Sequence, residues 1–262
     1  MGKFSDILEK SGVGEWRAPG EERRASGKAS AEMPEEQRGE RFRRTGNVSW
    51  PAAESLRLLC AKILDPDDGE CFRTIMVTSA APAEGKSFVS ANLGVAIAQS
   101  AGQYALLVDC DLRQPSLAKL FGMSAGVKEG LADYLADDRY QVQDLLLETS
   151  IDRLSILPSG KPPDSPAELL ASARMRGLAD ELSNRYDDRL IIFDSPPFQA
   201  ASATAALAKQ VDGVVLVVGY GKSARKRVRT VVEAIGPERI VGLVFNGMRG
   251  NFPQRPRFGA HG

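Results

Sequence analysis

Histidine is nearly missing from this chain of 262 residues: the only one is His261, one place from the end. Imidazole catalysis and histidine metal ligation are left without a residue to carry them. Cysteine is scarce, and Cys60, Cys71 and Cys110 show neither metal-ligand spacing nor a disulfide framework, which points to a thiol-keeping compartment. Charge of one sign is lacking too. The 34 basic residues balance the 34 acidic ones, so no overall field attracts nucleic acid. No apolar run reaches the roughly 18 residues of a membrane span. The opening "MGKFSDILEKSG" has no secretory core, so any membrane role is expected to run through a partner. Tyrosine is absent after Tyr220.

What is present falls into three parts. Phe4, Ile7 and Leu8 follow helical spacing, which gives a possible short helix over 3–11. From Gly14 to Asn47 charged residues, Gly, Ala, Pro and Ser dominate, too little apolar surface to offset ordering entropy. Residues 1–47 therefore read as a disordered arm, 48–247 as the folded domain and 248–262 as a flexible tail. In "SWPAAESLRLLCAKIL", Pro51 suits a helix start and Leu56, Leu59, Ile63 and Leu64 form a stripe. Six apolar runs follow: "TIMVTS", "YALLVD", "LSIL", "LIIFD", "GVVLVVG" and "IVGLVFN". Near-continuous Val, Ile and Leu suit strands buried on both faces. Helical stretches between them predict an α/β fold, a doubly wound, mostly parallel sheet with helices on both faces. Tyr104 opens one of these strands and is expected in the core, whereas Tyr134 and Tyr140, flanking "LADDR", are expected to be reachable.

The segment "TSAAPAEGKSF", Thr78 to Phe88, follows the first strand. It ends as a phosphate-binding loop of pattern G-x-x-x-x-G-K-[ST] does, but Ala80 stands in place of the first glycine. Gly85 permits close backbone approach, Lys86 can reach β and γ phosphates, and Ser87 can hold Mg2+. The helix after it, with Phe88, Leu93, Val95 and Ile97 available for packing, adds positive potential at its start. An ordinary strand–helix turn with a surface lysine is the alternative. Two further strand ends are acidic. "LLVDCDLRQP" offers Asp109 and Asp111, and "LIIFDSPP" offers Asp194. Ligands of parallel sheets bind beyond the carboxyl ends of strands, Mg2+ prefers oxygen ligands, and a nucleophile needs a proton acceptor. Taken singly, each aspartate could merely cap the next helix; together at one edge they point to a site. Cys110 reads as packing, since no histidine is there to activate it.

This ordered set of motifs resembles the bacterial tyrosine kinases of polysaccharide-export operons, within the wider MinD/ParA-like P-loop group. "VTSAAPAEGKSFVSANLG" is similar to that family's Walker A segment, "LLVDCDLRQPSLAKLFG" to its D-x-D-x-R motif, "LPSGKPPDSPAELLAS" to its proline-rich segment, and "LIIFDSPP" to its Walker B. "GLVFN" resembles its last core strand. The resemblance covers about Pro51 to Gly247. It implies ATP and Mg2+ as cofactors and transfer of a γ-phosphoryl group to tyrosine. It implies Lys86, Asp109 and Asp111 as catalytic residues and Ser87, Asp109 and Asp194 around the metal. Ala83, Glu84, Gly85, Lys86, Ser87, Phe88, Arg113 and Asn246 would line the nucleotide. An inner-membrane regulator of polysaccharide chain length is the implied partner, with this chain cytoplasmic beside it. MinD and ParA ATPases carry an early loop lysine where Ala81 stands here.

Departures bear on the expectations. Glu54 and Arg57 match the family's oligomerising E-x-x-R-x-x-R helix, but Cys60 replaces its last arginine. Ala203 stands where an aspartate is expected, and the tyrosine-free tail cannot be the phosphoacceptor. A MinD/ParA-type ATPase and a non-catalytic nucleotide-dependent module remain the rival readings. The basic run Lys222 to Arg229 reads as a solvated helix face, and without interleaved aromatics it gives single-stranded nucleic acid little to stack on.

Overall fold

The computed structural model describes residues 50–66, 69, 72–100, 102–123, 127–186, 188–198 and 202–247. The expected arm (1–47) with its possible short helix, residues 48 and 49, Cys71 and the expected tail (248–262) lie outside the described residues. Helix α1 spans Trp50–Leu64, followed by β1 (Thr74–Ser79), α2 (Lys86–Ala98), β2 (Tyr104–Asp109) and the short α3 (Leu117–Leu120). Next come α4 (Leu131–Ala136), β3 (Leu147–Glu148), β4 (Leu154–Leu157), α5 (Pro166–Leu170) and α6 (Ala173–Arg185). The chain continues with β5 (Arg189–Asp194), α7 (Ser202–Ala208), β6 (Gly213–Gly219), α8 (Arg225–Ile235) and β7 (Ile240–Asn246).

Among the described residues the strands make one sheet of seven in the order β3-β4-β2-β5-β1-β6-β7. All neighbours are parallel except β3, which pairs antiparallel with β4 at the edge. All six apolar runs form strands as expected. The two-residue β3 has no run of its own to announce it.

Each central strand feeds two cores by alternation. Met76 of β1, Leu106 and Val108 of β2, and Ile191 and Phe193 of β5 pack under α4 to α8. Ile75, Val77, Leu107 and Ile192 face the other way, under α1 and α2. This double burial is why the strands read as unbroken apolar runs. Helix α8 shows the complementary pattern. Val228, Val231, Val232 and Ile235 are buried, and its basic residues are exposed, so the basic run is a solvated face.

Some expectations are corrected. Cys60, which stands in place of the related family's last arginine, is buried against Ile63 and the sheet, where burial pushes its thiol up to about 11. Phe88, expected to pack, is exposed because α2 buries Val89, Leu93 and Ile97 instead. Tyr104, expected in the core, is 40% exposed, lying beside the Arg189 guanidinium at the first residue of β2. Tyr134, expected to be reachable, is 7% exposed. Its hydroxyl donates to Glu181 and the Arg174 guanidinium lies 4.3 Å above its ring.

Candidate active site

Sheet register brings the strand ends together. Asp109 is the direct neighbour of Asp194 across β2 and β5, and Asp194 pairs with Val77 near the end of β1. The loop 80–85 leaves β1 at this edge, beyond the carboxyl ends of the strands. It closes with Gly85 at φ 91°, in the left-handed region that a side chain avoids. A Cβ there would also run into the Asn246 amide. Ala83 holds φ 58° although it has a Cβ, so surrounding contacts must impose that conformation.

Lys86 opens α2 and is buried, with its ammonium 3.9 Å from Asp111. The first N–H groups of α2 have no partner within the helix and present positive potential. One turn on, the Ser90 hydroxyl donates to Asp194 Oδ1 at 2.9 Å. The other carboxylate oxygen, Asp194 Oδ2, is buried with no hydrogen-bond partner. Burial pushes the Asp194 carboxyl up to about 6, while the hydroxyls of Ser87 and Ser90 and the Lys86 ammonium hold it back. Asp109 is buried as well. Its Oδ2 accepts N–H bonds from Ser116 and Leu117, each at 3.0 Å. Burial first, then the Asp194 charge, pushes Asp109 up to about 8.

Among the catalytic and metal residues expected from the sequence, Lys86, Ser87, Asp109, Asp111 and Asp194 are brought together at this edge. Three others stand differently. Arg113 is exposed on the loop beyond β2. Glu84 is buried, with its carboxylate turned toward β6. The Asn246 amide donates to the Glu84 carbonyl at 2.8 Å, bracing the loop. Ser90 was missed by sequence reasoning. Its signal was there: spacing i, i+4 from Lys86 puts both on one helix face. Ala203 is buried at the start of α7 and brings no carboxylate to the site. Cys110 is packing, its thiol pushed up by burial and then by the three nearby aspartates.

A Mg2+–nucleotide fits this arrangement. An orphaned buried carboxylate oxygen and a neighbouring hydroxyl form a hard oxygen donor set beside the positive charge of a lysine at a helix start. Strand, loop and helix in this order, with aspartates ending β2 and β5, define a P-loop domain of MinD-like fold.

Comparison with known proteins agrees. The AAA domain family matches residues 72–237. The tyrosine-protein kinase YwqD of Bacillus subtilis is 36% identical over 179 residues, 68% of this chain and 73% of that protein. The putative tyrosine-protein kinase EpsB of Ralstonia nicotianae is 34% identical over 77% of this chain, but the match spans only 26% of EpsB. The crystal structure of the chimerical protein CapA2B2 superposes with a TM-score of 0.69 at 31% identity, covering 80% of this chain and 90% of that one. MinD of Pyrococcus horikoshii complexed with Mg-ADP shares the fold, with a TM-score of 0.54 at 24% identity over 65% of this chain and 67% of its own. The chain belongs to the bacterial tyrosine-protein kinase family.

Proposed function

We propose that residues 48–247 bind ATP with Mg2+ and transfer its γ-phosphoryl group to a tyrosine hydroxyl. The observation that carries this reading is the buried Asp194 Oδ2, without a partner, at a sheet edge that also holds Lys86 and Ser87. A buried carboxylate oxygen left empty is costly, and a site that fills only on binding explains it. Bound Mg2+ would supply neutralisation of the phosphate charge. Ser87 and Asp194 would hold it. The Lys86 ammonium would leave Asp111 for the phosphate oxygens. Asp109, kept ionised by the nearby cation when Mg2+ is bound, would take the proton of the attacking hydroxyl as the phosphorus–oxygen bond to ADP breaks.

The phosphoacceptor would be another protein or a reachable internal tyrosine. Tyr220, 52% exposed directly after β6, lies at the site edge. Tyr104 is at the far end of β2, about 16 Å away at about 3.3 Å per residue. In this reading the chain works at the inner membrane in polysaccharide synthesis, beside a membrane regulator of chain length. No helix among the described residues is long and apolar enough to cross a membrane, so a partner would hold it there. Self-association would use the exposed face of α1, where Glu54 and Arg57 pair at 3.9 Å.

The test is incubation of the purified chain with ATP and Mg2+, with and without the cytoplasmic part of its membrane partner, followed by mapping of phosphotyrosine. Phosphate on tyrosine supports the kinase. ATP hydrolysis with no phosphotyrosine would replace it with a MinD-type ATPase.

A further inference from the structure

The loop carries its own carboxylate, and that carboxylate does not face the phosphates. Glu84 is 1% exposed. Its Oε2 accepts the Ala81 N–H at 2.9 Å, within the loop. Its Oε1 accepts the Gly219 N–H at 2.9 Å, from the last residue of β6, and the Ser223 hydroxyl at 2.5 Å, from the turn that follows it. All three donors are neutral, and a carboxylate, an acceptor only, matches a set made of donors alone.

Two more contacts tie the same parts. The Lys222 ammonium donates to the Ala83 carbonyl at 2.8 Å, and the Asn246 amide to the Glu84 carbonyl. Space is shaped to the same end. A Cβ on Gly219 would come within 3.2 Å of the Glu84 side chain and 3.0 Å of Lys222, so a close backbone approach lets the carboxylate reach the turn. The loop needs such outside support. Ala83 is held at φ 58° although it carries a Cβ. A side chain at that place disfavours the left-handed backbone, so the loop does not settle into this shape by itself.

We propose that Glu84 is a positioning residue: its buried carboxylate fastens the phosphate loop to the β6–α8 turn and thereby imposes the loop shape that receives the nucleotide phosphates. Ser223 acts only through that carboxylate, from outside the loop. This rests on the nucleotide reading above. Turned inward, the negative charge is kept off the phosphates and its energy goes into shaping the N–H cradle.

The test measures ADP affinity with Mg2+ by calorimetry, together with thermal unfolding, for the unmodified chain, Glu84→Gln, Ser223→Ala and the double variant. Glu84→Gln turns an acceptor into a group that opposes N–H donors and should weaken ADP binding about 10-fold. Ser223→Ala should weaken it by about 3-fold or more, although no phosphate contact is altered. The double variant should bind no more weakly than Glu84→Gln alone, because the hydroxyl has no other route to the loop. Should Glu84→Gln not fold, Ser223→Ala still decides. ADP affinity unchanged in Ser223→Ala, or a double variant whose loss is the product of the two single losses, overturns the brace. An unmodified chain that binds no ADP brings down the nucleotide reading itself and this proposal with it; that result is told apart by the wild-type titration.

Discussion

Asp212 and Asp194 stand at opposite edges of one sheet, and their surroundings differ in a telling way. Asp212 precedes β6 and gathers the start of β1. Its Oδ2 accepts the Arg73 N–H at 2.9 Å, the Thr74 N–H at 2.8 Å and the Thr74 hydroxyl at 2.9 Å. The rest of its side chain meets solvent, since the residue is exposed. Asp194 ends β5 with no exposure at all, one oxygen on Ser90 and the other empty. The first is a fastener with its acceptors filled. The second keeps an acceptor in reserve inside the protein, where an unfilled lone pair costs most. Asp109, packed beside it, adds a second carboxyl with raised proton affinity. The far edge stabilises, and the near edge holds charge poised for a ligand.

The strongest way to break this contrast is Lys86→Ala. The near edge would lose its cation, and turnover of ATP with Mg2+ should fall about 10²- to 10³-fold, about 2.7–4 kcal/mol in the transition state. The fold should persist, checked by steady-state kinetics beside circular dichroism. Unchanged kcat would remove Lys86 from the site.

Acidity gives the next effect. Asp109 and Asp194 hold protons more tightly when folded than in the unfolded chain. The folded state therefore binds more protons between about pH 4 and about pH 8, so this contribution is full below the unfolded value and is lost as pH rises through the folded ones. Without nucleotide, the Tm difference between the native chain and Asp109→Asn should shift in favour of the native chain as pH falls from 8 to 5. A difference independent of pH would mean that the carboxyls are not strained by burial.

At the far edge, Asp212→Ala should cost about 1–2 kcal/mol of stability, because three donors lose their acceptor at a partly wet place. ADP affinity should stay as it was, measured by calorimetry. A loss of affinity without a loss of stability would reverse the roles assigned to the two edges. The smallest effect belongs to Ala83→Gly. Relief of the left-handed backbone is offset by a freer unfolded chain, so stability should move by less than about 1 kcal/mol and ADP binding should hold or improve. Clear weakening of ADP would show that the Cβ of Ala83 itself serves the loop.

Much of this was legible in order along the chain. The strands declare themselves because double burial leaves no polar face to interrupt Val, Ile and Leu, and Gly85-Lys86-Ser87 directly precedes a helical stretch. Asp109, Asp111 and Asp194 could be singled out because an acid closing an apolar run is conspicuous. The tyrosines were read less well. Tyr104 and Tyr134 exchange their expected places because exposure there is set by Arg189 at the sheet edge and by Arg174 and Glu181 on α6, partners remote in sequence. Strand β3 is too short for any pattern to register.

The sequence by itself determined the alternation of strands and helices, the loop that ends in lysine and serine, and the acids at strand ends, since each depends on residue type and near spacing. Only the tertiary structure decided what those groups do to one another. Strand order set Asp109 beside Asp194. Helix α2 carried Ser90 to one oxygen of Asp194 and left the other empty. The end of β6, 135 residues along the chain from Glu84, took that carboxylate away from the loop mouth. Hydrogen bonds and burial act over a few ångströms, and only the folded sheet brings such distant positions that close.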